Sequence, residues 1–233
     1  MNATVTRGIV LNRTDFGEAD RIITFLTPDN GKVGAIAKGV RKTKSKLAGG
    51  IELFSVSDIS YIVGRGHVAT LISSRLLTHY GKIVKDLERT QAGFDSIKLI
   101  NKATEDQPEA AYFHLLEQIF IALEDFEISA NVIRLWADMQ VLKLAGHTPN
   151  LHTDDKGKKL QKQHTYDFEL DGMNFKPVER NGSGAFDASH IQFLRIGFGN
   201  NSPKALQRIT GISKLTDDAQ PLVRTMLSNY VRV

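Results

Sequence analysis

Cysteine is absent from all 233 residues. That absence excludes disulfides, thiolate zinc sites, iron–sulfur clusters and any cysteine nucleophile. Long apolar runs are missing too, and none approaches the ~18 residues a membrane-spanning helix needs. Asn2, Thr4, Thr6 and Arg7 break up the apolar core that a signal peptide requires, so a soluble, cytoplasmic protein is expected. Charge of one sign is scarcely in excess, with 30 Lys+Arg against 26 Asp+Glu and a formal net charge of +4. So small an excess says nothing of an anionic partner until the charges are placed.

Motifs for turnover chemistry are also wanting. Gly81-Lys82 lacks the upstream glycine and following hydroxyl residue of a phosphate-binding loop, and Gly182-Ser183-Gly184 has the wrong spacing for a nucleophile elbow. Gly64-Arg65-Gly66-His67-Val68-Ala69 runs into a strand-like segment rather than a helix, so it reads as a hairpin turn. His147, His152 and His164, spaced by 5 and 12, match no standard zinc pattern even with Asp154, Asp155 and Asp167 nearby. The carboxylate pairs Glu124-Asp125, Asp154-Asp155 and Asp217-Asp218 read as turns or helix ends. A protein without catalytic residues, cofactor or metal is expected.

What is present is an ordinary globular mix, 41% hydrophobic and 24% charged, in two textures. Up to about Leu77 the chain is β-branched and punctuated by glycine. Five strands are expected: Val5–Leu11, Arg21–Thr27, Val33–Lys38, Leu53–Val63 and His67–Leu76. Pro28-Asp29-Asn30-Gly31 turns the second into the third. Five short strands protect their edges by curling into a small barrel, of OB or SH3-like type. From Lys82 the period becomes helical, with Ile83, Leu87, Phe94, Ile97 and Ile100 on one stripe. Further helices are expected over Pro108–Asp125 and Asn131–Ala145, the latter stopped by Gly146. A polar interlude, His147–Gly184, holds four lysines between Lys156 and Lys162 and a possible hairpin around Asp171-Gly172. Helical signals then return: Asp187 before Ile191–Ile196, Ser202-Pro203 before Lys204–Ile209, and a last helix through Leu222, Met226, Leu227 and Tyr230. The expected class is α+β: a barrel over residues 1–80, a helical domain over 81–146 and 185–233, and an insert over 147–184.

The sharpest local feature is the run 38–46, in which Lys38, Arg41, Lys42, Lys44 and Lys46 are cationic and no acid intervenes between Asp29 and Glu52. Like charges this close repel, which favours either a solvated loop or an anionic partner. Loops of an OB barrel commonly meet single-stranded nucleic acid, and nucleic-acid binding is the reading adopted. If Lys32 joined these five on phosphates, the log–log salt slope on a single strand would be about −4. Phe16, Phe25, Phe54 and Tyr61 are candidate stacking residues, with a place in the core as the alternative.

Arg7-Gly8-Ile9-Val10-Leu11, Asp15-Phe16-Gly17-Glu18-Ala19-Asp20-Arg21-Ile22-Ile23, Thr27 with Gly31-Lys32, and Ala37 through Leu47 together resemble the RecO family of recombinational repair proteins. Leu144-Ala145-Gly146-His147-Thr148-Pro149-Asn150-Leu151 is similar to the family's entry into a zinc-binding insert. The resemblance implies an OB barrel, a helical domain and a zinc-ribbon-like insert. It implies binding of single- and double-stranded DNA, annealing of complementary strands, and loading of RecA onto DNA coated by single-strand binding protein. The partners it implies are RecR, RecF in many bacteria, and the acidic C-terminal tail of the coating protein; the setting is the bacterial nucleoid. Family members commonly carry two Cys pairs in the insert. This chain has His152-Thr153-Asp154-Asp155-Lys156 and Asp171-Gly172-Met173-Asn174-Phe175 in their place, so a metal-free or partly disordered ribbon is expected.

Carried over, the family's basic loop falls on Lys38, Arg41, Lys42, Lys44 and Lys46. Lys32 and Arg65 join them, and Arg7, Arg13 and Arg21 are weaker candidates. For Arg13 and Arg21 a salt bridge to Glu18 or Asp20 is an equal account. For the acidic tail only a region is expected, on the first and last helices, where Arg195, Lys204, Arg208 and Arg224 lie among apolar residues. A non-catalytic protein-interaction scaffold, or a generic OB-fold nucleic-acid-binding protein, is the alternative function.

Overall fold

The structure, a computed structural model, describes residues 3–64, 68–104, 110–178 and 184–231. Its first strand, β1 (Thr4–Phe16), is long enough to serve two neighbours. The first half, Thr4–Ile9, pairs antiparallel with β4 (Ser55–Ile62). From Ile9 to Phe16 it pairs with β2 (Asp20–Thr27), across an irregularity between Val10 and Asn12 that bends the strand. β2 turns into β3 (Gly31–Ala37) through Pro28-Asp29-Asn30, and Gly31 takes the positive φ of 62° that the turn needs. β3 then pairs in parallel with β5 (Ala69–His79) at Ala35↔Ala69 and Ile36↔Thr70, and β5 runs antiparallel to β4. The closed order β1-β2-β3-β5-β4 is that of the OB barrel, which decides against the SH3-like alternative.

Val10, Ile23, Phe25, Ala35, Ala37, Ile59, Tyr61 and Leu71 fill the barrel, with Val40 and Ile51 as plugs from the intervening loop. β1 continues five residues past the expected Leu11, because polar Asn12–Asp15 still find backbone partners on β2 outside the filled interior.

Two helices pack within the same compact unit as the barrel, Met1–Asp125. They are α1 (Leu87–Ala103), capped by Asp86 accepting from the Arg89 amide at 2.9 Å, and α2 (Ala110–Glu124). The change of texture near residue 80 therefore marks a change of secondary structure inside one compact unit. Aromatic rings join these pieces: Phe54 meets Phe94 and Phe120 edge-on at 5.1 and 5.6 Å, and Tyr80 lies 5.5 Å from Phe120. Arg89 is buried, and its guanidinium donates to the carbonyls of Leu123 and Asp125 at 2.8 and 3.1 Å, satisfying the end of α2. The expected apolar stripe of α1 needs correction, since Leu87 is 84% exposed and Phe94 44%. The buried face is instead Arg89, Ala92, Gly93, Ser96, Ile97, Leu99 and Ile100. Glycine is required at position 93 because a Cβ there would come within 2.6 Å of Phe54 Cε1.

The second compact unit is Phe126–Val233. α3 (Ala130–Leu144) packs against α4 (Ala188–Phe198), α5 (Pro203–Gln207) and α6 (Ile212–Tyr230). Trp136 Nε1 donates to Asn201 O at 2.9 Å, and Gln140 Nε2 reaches the carbonyls of Gly197 and Gly199 at 2.6 and 3.0 Å, where α4 ends.

The insert between α3 and α4 carries the hairpin expected around Asp171-Gly172, formed by β6 (Tyr166–Glu169) and β7 (Asn174–Pro177). An aromatic cluster holds it. Phe175 is fully buried, with Phe168 at 5.1 Å, Phe186 at 5.6 Å and Tyr166 at 6.4 Å. Tyr230 at the end of α6 ties the insert down by donating to Leu170 O at 2.6 Å. Residues 147–178 are thus ordered around an apolar centre. Among the described residues no group of His, Asp and Glu side chains is placed to hold a metal ion, and none of the helices is long and apolar enough to cross a membrane.

Candidate nucleic-acid interface

Residues 38–47 follow β3 and are folded rather than free. Gly39 adopts φ 64°, and its amide donates to Asp20 Oδ1 at 2.7 Å. The Arg41 amide donates to Ala19 O at 2.9 Å, and Val40 between them is buried in the barrel. At the far end, Ser74 Oγ of β5 donates to Leu47 O at 2.9 Å. Gly50 lies so close to Ser74 that a Cβ there would stand 2.6 Å from the Ser74 carbonyl carbon. Anchored at both ends, the loop turns its long side chains outward.

Four of the expected contacts, Lys38, Lys42, Lys44 and Lys46, are exposed and form no salt bridge among the described residues. Arg41 is also exposed but already has partners: Asp15 Oδ2 at 3.5 Å and Gly17 O at 3.5 Å. Asp15 accepts from Arg21 Nε at 2.7 Å. That hydrogen bond, with Arg41 and Arg13 nearby, holds the Asp15 carboxyl below the usual carboxylate range against the opposing effect of burial.

The remaining cations are placed otherwise than as ready phosphate contacts. Lys32 donates to Asn101 O of α1 at 3.1 Å. Arg7 sits over the Phe113 ring at 5.0 Å and faces Glu117 at 3.8 Å. Arg13 bonds Ile51 O at 3.3 Å and pairs with Glu52 at 3.5 Å. The partners of Arg13 and Arg21 are therefore Glu52 and Asp15, not the expected Glu18 or Asp20. Local chain spacing suggested the nearer acids, but Arg13 reaches across space and Arg21 pairs with the residue opposite it on β1. Arg65 lies outside the described residues.

Among the aromatic candidates, Phe25, Phe54 and Tyr61 are core residues, whereas Phe16 is 49% exposed. Phe16 ends β1 in the hairpin that Gly39 and Arg41 are bonded to, so the structure brings an exposed ring and the basic loop together. Asp20, which makes that junction, stands out in the sequence only within the family-like block and as a possible partner of Arg13 or Arg21, not as the acceptor for the Gly39 amide.

The cations expected to meet an acidic tail all lie in the second compact unit. Arg195 of α4 donates to Leu151 O at 2.8 Å, and Lys204 of α5 pairs with Glu127 at 2.9 Å. Arg208 and Arg224 are exposed. Between α4 and the start of α6 lies a depression of about 250 Å³ lined by Ser189, Gln192, Phe193, Ile196, Ile209, Thr210 and Leu215. Arg208 adjoins it in the chain.

Residues 1–80 match the family model described as Recombination protein O N terminal. Similar proteins include the DNA repair protein RecO of Dehalococcoides mccartyi, 33% identical over 63% of this chain and 57% of its own length. That of Acetivibrio thermocellus is 26% identical over 98% of this chain and 82% of its own length. That of Rubrobacter xylanophilus is 32% identical over 63% of this chain and 58% of its own length. The matched stretch thus spans less than two thirds of the first and third relatives.

Proposed function

We propose that this chain, whose first 80 residues match the N-terminal model of the RecO family and which has no cysteine for a zinc ribbon, is a member of that family and acts in recombinational DNA repair as a non-catalytic DNA-binding mediator. It binds single and double strands through the loop after β3 and accelerates pairing of complementary strands. With RecR, and RecF where present, it helps RecA onto DNA covered by single-strand binding protein.

The observation that carries this reading is the anchored loop, which holds four exposed cations without a salt bridge among the described residues and is bonded to the hairpin that carries the exposed Phe16. Cations that neutralise phosphates release counterions, and this drives binding without regard to base sequence. A ring at the edge of the cationic surface adds stacking worth about 1–3 kcal/mol per base. Two strands brought together on such a surface repel less, and base pairing then stabilises the product. With Lys32 bonded to Asn101 O and Arg41 paired with Asp15, four contacts remain, and the expected single-strand salt slope is about −3 rather than −4.

On the second compact unit, the depression beside Arg208 suits the acidic, apolar-ended tail of a coating protein, with charge outside and apolar residues within. The test of the main reading is fluorescence-quench annealing of two complementary oligonucleotides across a salt series. Acceleration that fades steeply with salt is the expected result. DNA binding without acceleration would leave an adaptor dependent on RecR. Neither binding nor acceleration would overturn the proposal in favour of a protein-docking scaffold.

A further inference from the structure

Of four exposed lysines of the insert, Lys156, Lys158 and Lys159 are set on a built turn, and Lys162 follows it three residues on. Asp154 is 9% exposed, and its Oδ1 accepts from the amides of Lys156 and Lys158 at 2.9 and 2.8 Å. Its own amide donates to Lys158 O at 2.8 Å, and Gly157 at φ 75° closes the turn. Thr153 bridges Lys159 across the base of the turn, and the Asp155 amide donates to Phe175 O at 3.1 Å, which fastens it to the aromatic core.

The acids are thereby used inward while the lysines face out. Asp154 is occupied by backbone amides, Asp155 Oδ1 is buried, and no other acid occurs before Asp167, which accepts from the Ala185 amide at 3.0 Å. All four lysines are exposed, and none forms a salt bridge among the described residues. The fixed backbone of the turn keeps the roots of Lys156, Lys158 and Lys159 close together, so their like charges favour salt or an anion nearby.

We propose that these four lysines form a second phosphate-binding surface, which takes the backbone of the second DNA strand during annealing. The proposal rests on the annealing reading given above. A nucleic-acid backbone fits better than an acidic protein because the surface offers charge without apolar contact. None of the exposed large apolar side chains among the described residues lies between 145 and 178, whereas protein interfaces have an apolar centre.

The test has two readouts on the full-length chain. In the first, lysine acetylation is followed by mass spectrometry with and without a single-stranded oligonucleotide. Lys156, Lys158, Lys159 and Lys162 are expected to be protected at least several-fold at low salt. In the second, the fourfold Lys→Glu variant at these positions is compared with the parent in the annealing assay. It is expected to slow annealing by tenfold or more and to lower the salt slope by up to about 3, at roughly 0.7 per phosphate. A fourfold Lys→Gln variant controls for damage by the introduced acids and is expected to show the same direction of change.

Protection without any annealing by the parent would uphold the surface and overturn the annealing reading alone. Unprotected lysines in a protein that binds and anneals DNA would overturn the surface and leave that reading intact. Protection by a polyglutamate peptide but not by DNA would overturn it in favour of a protein contact.

Discussion

The carboxylate of Asp20 and the amide of Gly39 meet at 2.7 Å, and this contact fixes where the basic loop leaves the barrel. Gly39 supplies the positive φ and Asp20 the acceptor, so the lysines that follow start from a set position. Asp20→Ala removes a charge-assisted hydrogen bond and is expected to cost roughly 1.5–3 kcal/mol of stability. Hydrogen exchange at the Gly39 amide should accelerate with it. Unchanged exchange would mean that the loop is held by Val40 and the Arg41 amide alone.

Reversing Lys38, Lys42, Lys44 and Lys46 to glutamate is expected to abolish annealing and flatten the single-strand salt slope by about 3. Lys32→Ala should leave that slope nearly unchanged, since its ammonium is occupied by Asn101 O, and should lower thermal stability instead. A salt titration of both variants separates the two roles. A slope that falls by a full unit or so in Lys32→Ala would place Lys32 among the DNA contacts.

These two variants also show where the sequence is legible and where it is not. The run 38–46 can be read as cationic from its residues, and the barrel from β-branched strands between glycine turns. Which cations are free cannot be read, because the partner of Lys32 lies 69 residues away and that of Arg13 lies on another element. The buried face of α1 misleads for a related reason. Phe54 leaves no room for a Cβ at Gly93, so a glycine faces inward there, while the larger Leu87 lies in water. In the insert, Tyr166, Phe168, Phe175 and Phe186 look sparse along the chain, and only the hairpin gathers them into a core.

Gly50 sets the far end of the basic loop. A Cβ there would stand 2.5 Å from Ser74 Cβ and 2.6 Å from the Ser74 carbonyl carbon. A flexible side-chain tip could yield, but the backbone of a paired strand cannot without disturbing the barrel. Gly50→Ala is expected to destabilise the protein by about 1–3 kcal/mol, as overpacking typically does. Denaturant unfolding measures this, and a parental midpoint would show that the short turn before Glu52 moves freely.

Phe175 is the fully buried centre of the insert's aromatic cluster. Phe175→Ala is expected to cost about 3–5 kcal/mol, the usual range for deleting a buried ring, and to loosen β7, whose Phe175 carbonyl accepts from the Asp155 amide of the lysine-bearing turn. A chelator is expected to leave the unfolding temperature of the parent unchanged. A fall on chelation would reveal a bound metal and overturn the aromatic account of the insert.

The start of α4 supplies a titration with a definite sign. Burial acts to raise the Asp187 carboxyl, but hydrogen bonds from the His190 amide and ring and from the Ser189 amide outweigh it, and the group stays below its usual range. Ser189 N and His190 N approach Asp187 Oδ1 at 2.8 and 3.1 Å, while His190 Nε2 faces Asp218 Oδ2 of α6 at 3.1 Å. A carboxyl depressed by folding contributes stability that is fully present above its unfolded value, about 3.9. That contribution is lost as pH falls through the still lower folded value. Asp187→Asn keeps an acceptor suited to the helix start but cannot titrate. The parent should therefore lose stability more steeply than Asp187→Asn only below about pH 4, with parallel profiles above it. Chemical denaturation from pH 6 down to 2.5 compares the two, and a difference that opens well above this window would assign the titration to another group.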